Sequence, residues 1–102
     1  MELPDHADAV LSVVESIPPG RVMSYGAIAD VVRAQGGVAS ARSVGTVMAR
    51  YGGMVCWYRV VNSVGRTPLG HELRARALLA AEGVPFRGDR VDMRAAAWYP
   101  ED

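Results

Sequence analysis

The sequence has no lysine, one cysteine, one phenylalanine and no long apolar run. A lone thiol, Cys56, leaves no intramolecular disulfide to make, so the fold has to rest on packing. No stretch approaches the roughly 20 apolar residues that a membrane-spanning helix needs. No charged-then-apolar leader occupies Met1 to Val10. The expectation is therefore a cytoplasmic chain, nucleoid-associated if bacterial, meeting its partners in solution. Neither a cofactor nor a metal is expected. What is present fits a soluble globular protein: 102 residues, half of them hydrophobic and 22% charged. That length suits one core better than two, which predicts a single domain over 1–102.

Formal net charge is zero, but the charges are unevenly placed. All eleven basic residues are arginine. From Val31 to His71 the chain carries Arg33, Arg42, Arg50, Arg59 and Arg66 and no Asp or Glu. A guanidinium offers phosphate a bidentate hydrogen-bond fork and stacks on bases, so an acid-free arginine tract can bind a duplex despite overall neutrality. A general preference for arginine over lysine explains the residue type but not the missing acids.

Val10, Val13, Val14 and Ile17 recur at helical spacing, predicting a first helix from near Asp5 to the stop at Pro18 and Pro19. Ser24 is placed to cap a second helix burying Ile28, Val31 and Val32, which ends at Gly36 and Gly37. Ser40 caps a third, with Val44, Val47 and Met48 as its core stripe, running out near Tyr51. Two helices about a tight glycine turn make a helix-turn-helix, whose second member can enter a DNA groove. Spacing alone also allows an ordinary helical hairpin. Arg42 bears on the choice because it falls in the first turn of the third helix, where the macrodipole disfavours a cation. A DNA partner accounts for it there, as does a tolerated solvated arginine.

Met54 to Val61 reads as a buried strand or extended core segment carrying Cys56, Trp57 and Tyr58. Asn62, Ser63 and Gly65 make a polar turn. Leu73, Ala77 and Ala80 mark the core face of a last long helix closed by Gly83. Gly88 and Asp89 between Phe86 and Val91 predict a small hairpin, and Met93 to Tyr99 a closing helical turn. On that reading Arg87–Gly88–Asp89 is simply a turn.

Five blocks resemble, in order, the DNA-binding domain of O6-alkylguanine-DNA alkyltransferases. They are Ile17 to Val22 (Ile-Pro-Pro-Gly-Arg-Val), Ser24 to Ala29 (Ser-Tyr-Gly-Ala-Ile-Ala), Ala41 to Gly45 (Ala-Arg-Ser-Val-Gly), Arg59 to Ser63 (Arg-Val-Val-Asn-Ser) and Leu78 to Gly83 (Leu-Leu-Ala-Ala-Glu-Gly). The resemblance implies a mostly α fold with a small β component, a winged helix-turn-helix-like DNA-binding domain. In active transferases the segment before Arg-Val reads Pro-Cys-His; here it reads Cys56-Trp57-Tyr58. Trp57 takes the nucleophile's place, Tyr58 the base's and Cys56 the proline's. An indole has no nucleophilic sulfur, and a phenol with a pKa of about 10 is a poor base at neutral pH. Glu82 matches the family's orienting acid, with nothing left to orient. The implied relative is the short alkyltransferase-like branch, which binds O6-alkylguanine without repairing it and hands it to nucleotide excision repair. No catalytic residue is expected, and the lack of a preceding N-terminal domain points the same way.

By the resemblance, Arg42 fills the gap left by an extruded nucleotide and Tyr25 pushes on the adjacent phosphate. Ala41 and Gly45 give the third helix a small surface against the minor groove, and Ser63 donates to a phosphate. The expected lesion pocket is Tyr25, Trp57, Tyr58, Arg66 and Leu69, with Arg66 to Leu69 as a lid shorter than in the transferases, admitting bulkier alkyl groups. From the residues alone Trp57 reads as core and Arg66 as a solvated loop residue. Two alternatives remain open at this point: a helix-turn-helix transcriptional regulator, and an active alkyltransferase using Cys56. The second needs Cys56 to share the pocket face with Trp57, which an extended segment forbids because neighbours alternate sides. A monomer is expected, with double-stranded DNA containing O6-alkylguanine and nucleotide-excision-repair recognition proteins as partners.

Overall fold

The computed structural model describes residues 5–100. It is mostly helical: α1 (Asp5–Ser16), α2 (Tyr25–Ala34), α3 (Ala41–Tyr51), α4 (Glu72–Ala81) and α5 (Met93–Ala96). Four two-residue strands accompany them: β1 (Met23–Ser24), β2 (Val60–Val61), β3 (Phe86–Arg87) and β4 (Arg90–Val91). No described helix is long and apolar enough to cross a membrane.

The first three helices form where the periodicity and caps require. α1 buries Val10, Val13 and Val14, with Ile17 buried just beyond its end, and Pro18 prevents its continuation. The Ser24 hydroxyl accepts from the Ala27 N–H at 3.1 Å, satisfying a donor that the first turn of α2 leaves free. Between α2 and α3, Gly36 takes a φ of +90°. A Cβ on Gly37 would stand 2.8 Å from Val32 Cγ1, so the turn is this tight only with glycine. Ser40 and Ser43 then exchange side-chain and backbone hydrogen bonds at 3.1 and 2.9 Å, starting α3 with a capping box.

β1 pairs in parallel with β2, Met23 opposite Val60 and Ser24 opposite Val61. Neighbouring strand residues face opposite ways, and here they serve two apolar clusters. Met23 and Val60 join the cluster of α1, α2 and α3, whereas Val22 and Val61 join Leu79, Val84, Val91 and Ala96. β3 and β4 form the expected hairpin, with Gly88 at φ +64° in its turn. The hairpin following the helix pair gives the winged helix-turn-helix-like form.

Two expectations fail. Met54 to Val61 is not a continuous strand: 3-10 turns cover Gly52–Met54 and Trp57–Arg59, and only Val60–Val61 pair as a strand. The Trp57 N–H reaches back to the Val55 carbonyl at 2.8 Å, and Cys56 sits at φ −75°, ψ 67°, an inverse γ-turn that no apolar pattern announces. Helix α4 also buries a different stripe, Ala75 and Leu79, while Ala77 and Ala80 are exposed and Leu73 is 87% exposed. Of the three leucines on α4 only Leu79 is buried, filling the cluster beside Val61 and Val84, while Leu73 is left outside.

Candidate nucleic-acid interface

A cavity of about 470 Å³ opens beside α3. One wall is Gly45, Met48 and Ala49 of α3; the others bring Tyr25 from the start of α2, the Trp57 indole, Leu69 and Arg74. Trp57 is half-buried rather than enclosed in the core. Gly52 packs beside it, where an added Cβ would touch Trp57 Cβ at an ordinary 3.7 Å and press on Met48 Cε at 3.1 Å. His71 meets the indole edge-on at 5.6 Å, and the Arg74 guanidinium lies 5.8 Å from its centroid, within cation–π range.

Behind the indole the structure is braced. The Tyr58 ring stands edge-on to Trp57 at 5.8 Å, and its hydroxyl donates to Glu82 Oε2 at 3.2 Å. Arg59, with its side chain 10% exposed, donates to Glu82 through Nε at 3.0 Å and Nη2 at 2.5 Å, and through Nη1 to the Ile17 carbonyl at 3.0 Å. The Gly20 N–H completes the set at 3.0 Å from Glu82 Oε1. Glu82 therefore orients three partners, contrary to the expectation that it has nothing to hold. The Arg59 hydrogen bonds keep its carboxyl below the ordinary value. Burial, then the neighbouring Cys56 and Glu82, push the Tyr58 phenol up to about 12. Tyr58 is thus a donor to Glu82 and contributes nothing to the cavity wall. Cys56 does not line the cavity either, but the γ-turn replaces the strand-alternation argument that was to keep it out.

On the outer face of α3, Ala41 and Arg42 are exposed. Gly45 faces the cavity, and a Cβ there would meet no protein atom within 4 Å. Packing inside the chain therefore does not require glycine, although glycine in a helix interior costs about 1 kcal/mol relative to alanine. The acid-free tract is less uniformly cationic than its sequence suggests. Arg59 is neutralised by Glu82 and Arg33 pairs with Asp30, whereas Arg42, Arg50 and Arg66 make no ion pair among the described residues.

The loop carrying Leu69 separates this cavity from a second of about 510 Å³, and Tyr25, Pro68 and Leu69 border both. Arg66 lines the second cavity only, with Arg76, Glu72 and Asp89. The structure thus brings Tyr25, Trp57 and Leu69 together and leaves Tyr58 behind them and Arg66 outside. Ser63 is exposed in a turn that Asn62 organises by accepting from the Val64 and Arg66 N–H groups at 3.0 and 2.9 Å. Burial raises the Tyr25 pKa, so its phenol stays neutral where it meets both cavities. Sequence reasoning missed His71, the residue that precedes α4, and Arg74 in its first turn, because a core stripe through Leu73 gives α4 a different rotation. Among the described residues no group of three or more His, Cys, Asp or Glu gathers as a metal site.

Residues 5–84 match the family described as 6-O-methylguanine DNA methyltransferase, DNA binding domain. The chain is 39% identical to a DNA base-flipping protein of Escherichia coli, the match covering 87% of this chain and 70% of that protein. It is 33% identical to a DNA base-flipping protein of Vibrio parahaemolyticus, over 89% and 93% of the two chains. Among solved structures it resembles S. pombe Atl1 in complex with damaged DNA containing O6-carboxymethylguanine, with 29% identity, a TM-score of 0.75 and coverage of 98% and 100%. It also resembles Mycobacterium tuberculosis O6-methylguanine methyltransferase, with 32% identity, a TM-score of 0.63 and coverage of 79% of this chain but 50% of that one. Helix-turn-helix, wing and a tryptophan-walled cavity thus accompany a family match over most of the chain, which belongs to the 6-O-methylguanine DNA methyltransferase DNA-binding family as an alkyltransferase-like member.

Proposed function

We propose that this protein recognises DNA damage, binding duplex DNA through α3 and turning an O6-alkylguanine into the cavity beside Trp57 without removing the alkyl group. The observation that carries this reading is the cavity itself, of a volume ordinary for a small-ligand site, open next to α3 and walled by the Trp57 indole, which by the resemblance takes the place of the transferases' reactive cysteine. Relatives named base-flipping proteins, and Atl1 with its damaged DNA, support it.

In this mechanism α3 approaches through the minor groove, with Ala41 and Gly45 allowing close contact. Arg42 enters the base stack where the nucleotide leaves. Tyr25, kept neutral, presses on the neighbouring phosphate, and Ser63 donates to another. Unstacking costs a few kcal/mol and least for a weakly paired base, so selection begins in the duplex. Stacking on Trp57 returns about 1–3 kcal/mol. Dealkylation does not follow, because Cys56 is off the cavity and Tyr58 keeps its proton for Glu82. The lesion is left for another system, which we assign to nucleotide excision repair, with this protein acting as a cytoplasmic monomer.

Fluorescence anisotropy with a duplex containing one O6-methylguanine tests the reading. Binding should be about tenfold or more tighter than to the same duplex with guanine, and equal affinity at several salt concentrations would overturn it. Incubation with labelled methylated DNA should leave the protein unlabelled; a stable label on Cys56 would overturn the non-enzymatic half.

A further inference from the structure

The family match ends at residue 84, and the hairpin lies beyond it. The structure gives that hairpin a surface of its own. A shallow depression of about 400 Å³ is lined by Arg87, Arg90 and Arg94, with Ser63 on its border and Asp92 as its one carboxylate. The three arginines are exposed and make no ion pair among the described residues. Asp89, the other acid of the hairpin, lies on the opposite side, in the second cavity with Arg66 and Arg76.

The hairpin is also fixed in place. The Val91 N–H donates to the Gly65 carbonyl at 2.9 Å. Gly65 itself sits at φ +88°, and a Cβ there would lie 2.4 Å from the Val91 carbonyl oxygen, so only glycine lets the hairpin come this close to the Ser63 turn. From the other side Arg76 donates to the Gly88 carbonyl at 2.8 Å and stacks over Phe86 at 4.3 Å. A basic tail that merely kept the chain soluble would need none of these contacts. They hold the backbone that carries Arg87 and Arg90 in register with the turn that carries Ser63.

We propose that the β3–β4 wing, through Arg87 and Arg90, together with Arg94 of the adjoining α5, is a second DNA contact that grips backbone phosphates flanking the lesion. This deepens the proposed function, since the same duplex occupies both surfaces. Three free cations against one carboxylate favour a polyanion, and the Ser63 turn, whose Asn62 and Arg66 line the second cavity, joins that cavity to this depression. Phosphate contacts carry no sequence information, so the wing adds affinity for damaged and intact duplex alike and lengthens the footprint.

The test is the salt dependence of binding. Each phosphate neutralised contributes a slope of about −0.9 in log K against log salt concentration. In R87Q/R90Q/R94Q the slope should become shallower by about two to three, with equal losses of affinity for lesion and intact duplexes. The ratio between them should stay as in the unaltered protein, which separates this result from failure of lesion recognition. Trimming the duplex on one side of the lesion should shrink the difference between the two proteins. An unchanged slope in a folded variant, checked by its circular dichroism, overturns the proposal. If the triple variant does not fold, R87Q and R94Q singly should each shift the slope by about one, and no shift in either overturns it as well.

Discussion

Trp57 has two very different sides. Behind it, Tyr58, Arg59, Glu82 and the Gly20 backbone form a closed set in which every strong donor and acceptor is engaged. In front, Arg42 and Leu69 are exposed, and Gly45 leaves space that no protein atom fills. The closed side sets the geometry of the open one. Substitutions behind the indole should therefore register as stability, and substitutions in front as DNA affinity.

The largest effect is expected behind. Glu82→Ala strands the nearly buried Arg59 guanidinium, and such a loss costs about 3 kcal/mol; urea unfolding measures it, and a loss below 1 kcal/mol would show the brace to be incidental. Trp57→Ala comes next and straddles the two sides. It should weaken lesion binding by about 2 kcal/mol, the middle of the range for one stacked base, read as a fall in preference over intact duplex. Arg42→Ala should lower lesion affinity about tenfold, ~1.4 kcal/mol, and leave stability within about 0.5 kcal/mol. A destabilised Arg42 variant would blur the division between the sides.

Tyr58→Phe is the mildest, removing one hydrogen bond worth about 1 kcal/mol, and it carries a pH signature. The folded phenol titrates at about 12 instead of 10.0. Its stabilisation is complete below pH 10 and disappears as pH rises toward 12, a decline the phenylalanine variant should lack. Glu82 behaves oppositely. Its folded pKa lies below the unfolded value, so its contribution holds above that value and is lost as pH falls through the lower one. Acid titration of unfolding should reveal that loss in the unaltered protein and not in Arg59→Ala.

Much of the open side was legible in the sequence. Helices α1 to α3 carry clean periodicity, and Ser24 and Ser40 mark two of their starts, so α3 and its Arg42 could be placed from spacing. The closed side was not legible. Arg59 and Glu82 lie 23 residues apart, and no local pattern states that one neutralises the other. The turns around Trp57 follow from two glycines and a γ-turn, not from apolar alternation. Helix α4 misled for a different reason: alanine at 75, 77, 80 and 81 gives it no contrasted face, and of its three leucines only Leu79 is buried.

The contact from Gly20 to Glu82 spans 62 residues. The helical turns of the first half close over three or four, whereas this link must wait until the chain has returned on itself, and closing so long a loop is entropically slow. The expected order of assembly follows from topology: α3 takes shape early, and the cavity beside Trp57 is finished last. A nascent chain that has not yet reached residue 82 has α3 without the clasp behind Trp57.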